Sequence, residues 1–456
     1  MRTSILAAFF VAYAAALPAQ QTPFGEYVDV HLIGIDAVVT DAHGHRVHGL
    51  TAGDFEVLER GNPQSITNFS EYGATEAPSR DREPHSLLIL IDSLPPEGFI
   101  RQTVFHDLEA ALPKLMADGD HVSVVYWEPG LERSRDVIES TDRAKVVDAL
   151  RALDASLPAK QLGLRNVAGE AGLMFLDRKT AAIERLVNAL GARPGRKAML
   201  YISSDLGYVG EHPNYSTAKL YIDRIPTAAN ASGVTFYASG LCDLTPLARI
   251  TEATGGLLGY TRSAVGELAP RMQEDLESYY SIAYRATSDG LDHERKIAVK
   301  AKNPEYSVRA RRTIVEKSNA TKARDVVVSR LFSDEGGSDI LFAVSGEPAH
   351  PAPRNRWLMP VVVKIPADQV QFAPDAHVGI LVASANGVAE VTSITTNDLT
   401  VTQKDLENGF ITYAFEILGD KRGSKVSIGV VDRRTGAIGV QVLDNRAAVR
   451  AQLGTE

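Results

Sequence analysis

Cysteine is nearly absent from this chain: one residue, Cys242, in 456. A single thiol cannot staple a fold, and where it follows an apolar run, in "ASGLCDL", it reads as a buried small side chain rather than a nucleophile. Recognised catalytic and metal motifs are missing as well. There is no Gly-x-Ser-x-Gly elbow, no phosphate-binding glycine loop, no His-Glu-x-x-His and no cysteine pair. Positive charge is short: 48 Lys and Arg stand against 57 Asp and Glu, a net charge of -9, which argues against nucleic acid or an anionic membrane as main partner. Beyond the first residues no apolar run reaches the roughly 18–20 residues that a bilayer span needs, so no transmembrane anchor is expected. No repeat of fixed period and no low-complexity segment is present.

What is there begins with "MRTSILAAFFVAYAAALPAQQ". One Arg, an apolar run over 5–16 and small residues before the end of residues 1–19 have the form of a secretory signal peptide. The run is too short for a span, and no cysteine follows it, so the lipoprotein route is closed. The expected location is secreted or periplasmic.

The rest divides by pattern. Residues 25–75 alternate apolar and polar around His-Gly-His and Gly-Asn-Pro turns, which predicts a β-hairpin leader. A polar, proline-bearing linker follows. Over 84–286, apolar strands alternate with segments of helical period, as in an α/β layer with a mostly parallel sheet; its strands are placed at 87–91, 122–127, 136–139, 198–203, 234–238 and 280–284. Residues 287–317 read as a strand pair that would pack on the leader. After a polar joint at 318–325, residues 326–448 offer short strands divided by Gly, Pro, Asn and Asp, the pattern of a β-sandwich.

Several segments in order carry a resemblance. "SLLILIDS", "ADGDHVSVVYW", "GRKAMLYISSDLG", "ANASGVTFYASG" and "LARITEATGGLLG" resemble successive parts of a von Willebrand factor type A domain. The leader "VHLIGIDAVVTDAHGHRVHGLTAGDFEVLERGNPQSITNFSEY" is similar to that of the von Willebrand factor A-related family found in Acidobacteria. The likeness covers roughly residues 28–315, and the C-terminal part has no motif of its own. It implies a fold of α/β plus β class: a doubly wound, Rossmann-like von Willebrand factor A domain flanked by the β leader and the C-terminal β-sandwich. It also implies that Asp92 and Asp205, which follow neighbouring strands, meet at a crevice where ligands bind. The partner-binding crevice expected on that basis consists of Asp92, Ser93, Leu94, Ser204 and Asp205.

Domains of this kind can hold a divalent ion in an Asp-x-Ser-x-Ser loop, completed by a Thr and a second Asp. Hard cations require such oxygen donors in near-octahedral geometry. Here Leu94 and Pro96 stand where the two hydroxyls belong, and no Ser or Thr occurs from Leu157 to Lys179. Asp92 and Asp205 remain, with Asn166 the nearest substitute for the Thr, and that set holds Mg²⁺ or Ca²⁺ weakly at best. The expectation is therefore a degenerate metal-ion-dependent adhesion site and no required cofactor. The function implied is an extracytoplasmic protein-interaction or scaffold protein, not an enzyme, whose protein partner the sequence does not name. The alternatives are metal-dependent adhesion through Asp92 and Asp205, and an envelope hydrolase with an unrecognised site.

Other features fall to plainer readings. His43, His45 and His48 with Asp41 crowd a turn and read as solvated. "STAK", 216–219, lacks the partner motifs of the Ser-x-x-Lys enzymes. The basic runs 193–197 and 309–312 read as solvated faces. Carbohydrate stacking in the C-terminal part has only Trp357 and a few Tyr to rest on.

Overall fold

The computed structural model describes residues 30–73, 84–92, 94, 98–128, 133–157, 169–191, 193, 195–203, 206, 215–240, 244–260, 264–287, 291–331, 338–353, 356–370, 377–385, 391–419 and 424–444. The expected signal peptide lies outside them. Among the described residues no helix is long and apolar enough to cross a membrane.

The chain opens with β1 (Val30–Thr40), β2 (Phe55–Glu59), β3 (Asn62–Gln64) and β4 (Ile66–Tyr72). Next come β5 (Ser86–Ile91), α1 (Gly98–Leu115), β6 (His121–Glu128), β7 (Arg133–Ser140), α2 (Arg143–Ser156), α3 (Gly169–Gly191), β8 (Lys197–Ile202), α4 (Tyr215–Ser232), β9 (Val234–Ser239), α5 (Thr245–Thr254), β10 (Leu258–Gly259) and α6 (Ala264–Glu277). Strands β5, β6, β8, β9 and β10 run parallel, with β7 antiparallel at one edge, in the order β10-β9-β8-β5-β6-β7. Every residue of β5, Ser86 to Ile91, is buried because helices cover both faces of this sheet. Leu87, Ile89 and Ile91 face α1, α2 and α6. Leu88 and Leu90 face the side carrying α3, α4 and α5.

The helix ends are set locally. Asp142 caps α2 through the amides of Ala144 and Lys145, and Gly255, at φ 79°, ends α5. A Cβ on Gly256 would run into the backbone carbonyl of Phe236 in β9. Gly256→Ala should therefore cost on the order of 1–3 kcal/mol, read as a lowered melting temperature.

Then follow β11 (Tyr279–Thr287), β12 (Glu294–Ala301), β13 (Ser307–Ala310) and β14 (Thr313–Val315). These return to the start of the chain. One sheet is ordered β13-β1-β11-β4 and another β14-β12-β2-β3, with Ile35, Val39, Phe55, Val57, Ile282 and Tyr284 packed between them. The Tyr280 hydroxyl donates to the Val47 carbonyl at 2.9 Å and lies 3.2 Å from Glu71; burial, reinforced by that carboxylate, pushes it up to about 12.

The remainder is α7 (Asn319–Ser329), β15 (Ala343–Gly346), β16 (His350–Ala352), β17 (Arg356–Pro366), β18 (His377–Ala385), β19 (Val391–Thr400), α8 (Gln403–Asn408), β20 (Phe410–Gly419), β21 (Lys425–Asp432) and β22 (Ile438–Asp444). Strands β15, β16 and β20 pair with β17, and the facing sheet is ordered β19-β18-β21-β22. Alternate residues of β17, from Trp357 to Ile365, turn inward. Polar as it reads, the stretch after Ser318 forms α7: the Ser318 hydroxyl caps it at the Thr321 amide, and Ala323 and Val327 pack on the outer face of the second sheet.

The fold class expected from the sequence is therefore corrected. The described residues are predominantly β, in five separate sheets with eight α-helices, rather than a doubly wound Rossmann-like layer with β appendages. The physical reason lies in β11. Its apolar alternation fits a half-covered antiparallel sheet, and it lies between β1 and β4 rather than closing the parallel layer.

Candidate functional site

Asp92 is the first residue beyond β5, and its amide continues the strand ladder to the Ile202 carbonyl at 2.8 Å. Strand alternation turns its side chain beneath α3, where it is 1% exposed. Its Oδ2 accepts from Lys179 Nζ at 2.8 Å, from the Tyr201 hydroxyl at 2.5 Å and from Ser203 Oγ at 3.1 Å. Lys179 comes from α3 and is equally buried. Its ammonium stands 4.8 Å from the Phe175 ring centre and 5.9 Å from that of Trp127, so aromatic faces complete its surroundings.

This arrangement does not fit a divalent ion at Asp92. An ammonium already holds one carboxylate oxygen, Oδ2, and a second cation beside it would meet like charge in a buried place. Among the described residues no group of three His, Cys, Asp or Glu is placed to hold a metal. Of the expected site residues, Asp92 and Leu94 are buried, at 1% and 4% exposure, and present no surface. Ser93, Asn166, Ser204 and Asp205 lie outside the described residues, as does Cys242.

Among the described residues near this end, three apolar side chains are exposed. Tyr260, directly after β10, is 70% exposed; Leu220, early in α4, is 68%, and Met174, early in α3, is 54%. Topology sets all three at the end where the parallel strands finish. Helix α4 starts from the end of β8, and α3 runs back toward its start.

A second buried charge cluster ties the helical region to the leader sheets. Asp275 of α6 receives both arms of Arg309, at 2.8 and 2.7 Å, a bond from Arg46 and the Tyr237 hydroxyl at 2.9 Å. Burial opposes its charge, but the Arg309 hydrogen bonds and the charges of Arg309 and Arg46 prevail and hold the carboxyl below its ordinary value of 3.8. Burial, with the Asp275 charge behind it, drives the Tyr237 hydroxyl well upward. Arg309 thus corrects the reading of 309–312 as a solvated face.

The histidine turn does not converge on a ligand site. Asp41 binds the His43 and His45 amides at 2.8 Å each, while His48 turns to Glu71 at 2.9 Å. Ser216 and Lys219 lie on the exposed side of α4.

Comparison with protein-family models and with curated protein sequences finds no match. Among solved structures, the pilus adhesin SpaC from Lactobacillus rhamnosus GG, in its open conformation, is similar over 86% of this chain at 8% identity and a TM-score of 0.29. The human COPII-coat protein Sec24c is similar over 80% of this chain at 7% identity and a TM-score of 0.24. The chain spans 60% of the first protein's length and 44% of the second's. At these scores neither likeness defines the fold.

Proposed function

We propose that the chain is an extracytoplasmic protein-interaction module, related to the von Willebrand factor A family, that binds its partner without a divalent ion. The observation that carries this reading is the buried pair of Asp92 and Lys179: the carboxylate at the strand end is neutralised from within, at 2.8 Å. The Asp92 charge is already compensated by Lys179, which disfavours a metal there and, with it, an acidic ligand held through the metal. The end instead presents apolar side chains, Tyr260, Leu220 and Met174, of the type that anchors protein interfaces. The signal-like N-terminus and the net charge of -9 favour a soluble partner outside the cytoplasm over nucleic acid.

The test is affinity capture of cell-envelope proteins by the full chain, with Mg²⁺ and with EDTA, alongside Leu220→Asp and Tyr260→Ala. One partner set should be recovered in both conditions and lost, by about tenfold or more, from the two variants, as expected for anchors worth 1.4 kcal/mol or above. Capture that needs the ion would favour adhesion through a metal. Robust turnover in a hydrolase screen would favour catalysis instead.

A further inference from the structure

Among the described residues the two sheets of the C-terminal sandwich differ in width. Strands β15 and β16 pair with opposite ends of β17, Val361 to Lys364 and Arg356 to Leu358, while β20 takes the whole length of its other edge. That sheet is three strands wide, whereas the sheet facing it, β19-β18-β21-β22, is four. Among the described residues nothing pairs with the far edge of β20, and on the inner face of β19 Leu399 packs against the core. Ser393, Thr395 and Asn397 sit opposite Ser384, Val382 and Ile380 in register, so they point toward the sandwich interior, yet all three are exposed.

Across from them Tyr413 and Phe415 of β20, stacked at 5.4 Å, are only half-buried. A cavity of about 410 Å³ opens between the two edges, lined by Val382, Ser393, Thr395, Phe415 and Ile417, with Arg356 at its end. The edge is also unguarded. Natural sheet edges are blunted by lysine, proline or bulges. The ten residues of β20, FITYAFEILG, contain one charge, Glu416, no lysine and no proline, and they pair with β17 without a break in register.

We propose that this edge takes up an extended segment of a partner protein, which adds to β20 as a further strand. Its backbone would satisfy the outer edge of β20, and alternate small or β-branched apolar side chains would enter the cavity over Phe415, Ile417 and Thr395. On its outward face a basic residue would lie beside Glu416, the favourable cross-strand pairing. Proline is excluded from the paired stretch because it lacks the donor. This surface is separate from the strand end near Asp92, and its test does not depend on that reading.

The probe is a synthetic peptide of about eight residues, valine alternating with threonine and one lysine on the threonine face. Hydrogen exchange is followed on the full chain with and without it. Saturating peptide should slow alternate β20 amides by about tenfold or more. Thr395→Arg, an exposed position, should abolish that slowing while leaving the urea midpoint unchanged. Absence of slowing overturns the proposal, as does slowing that persists in Thr395→Arg. Protection of those amides in the chain alone would overturn it too. At every concentration it would mean that the chain's own segment, such as residues 445–456, fills the edge; growing with concentration, it would mean a second copy.

Discussion

Replacing Lys179 with Met should destabilise the protein by about 3–5 kcal/mol, because it leaves the buried Asp92 carboxylate without the cation beside it. Removing one member of a buried pair costs far more than the pair itself is worth, since the remaining charge stays desolvated. Met fills nearly the same space as the lysine stem, so lost packing is a small part of the effect. The double variant Asp92→Asn with Lys179→Met should recover most of that loss, as both charges are then gone. Tyr201 and Ser203 still donate to the Asn side-chain oxygen there. Urea unfolding of the four proteins measures this coupling directly. Equal loss in the single and double variants would show that Asp92 and Lys179 do not act as a pair.

Asp275→Asn should cost a similar amount, about 3–5 kcal/mol, with a pH signature of its own. The native carboxyl titrates below its ordinary value, so its contribution is fully present above pH 3.8 and is lost as pH falls through the lower native value. Wild-type stability should therefore fall on acidification through that window, and the variant should lack that part of the slope. The loss should fall on the joint between α6 and the leader sheets, because Arg46 and Arg309 reach Asp275 from the segment after β1 and from β13. Hydrogen exchange should then show β1 and β13 opening more readily while β5 and β8 stay protected. Uniform loss of protection would contradict that assignment.

Both predictions rest on charges that the pattern of the sequence already marks. In α3, Leu176, Lys179, Ile183, Val187 and Leu190 recur at helical spacing, and all are buried. A lysine on that stripe must find a buried anion. In α6, Val265, Leu268, Met272 and Asp275 make the same stripe, with an acid that must find a buried cation. Reading the stripes for misplaced charge would have pointed to Lys179 and Asp275. Metal-ligand spacing in the loops points instead to Asp92, Asp205 and Asn166 and passes over Lys179.

The individual elements were largely visible. "SLLILI" is apolar throughout because both its faces are covered, and β17 alternates because one face is. Their grouping was not visible. The alternation of β11 fits a half-covered antiparallel strand, but which strands it joins, β1 and β4, is set by pairing over more than 200 residues and not by local pattern. The partners of Arg309 and Arg46 are likewise beyond reach of local pattern, since the first lies 34 residues away and the second 229 from Asp275. Nor does spacing reveal that, among the described residues, β20 pairs with β17 alone.

Lys179 sets an internal ammonium beside Asp92, where a bound cation would otherwise stand. Calorimetric titration of the full chain with Mg²⁺, Mn²⁺ and Ca²⁺, alongside Asp92→Ala, tests it most directly. No saturable heat is expected from the wild-type chain with any of the three ions. Micromolar binding that disappears in Asp92→Ala would contradict it.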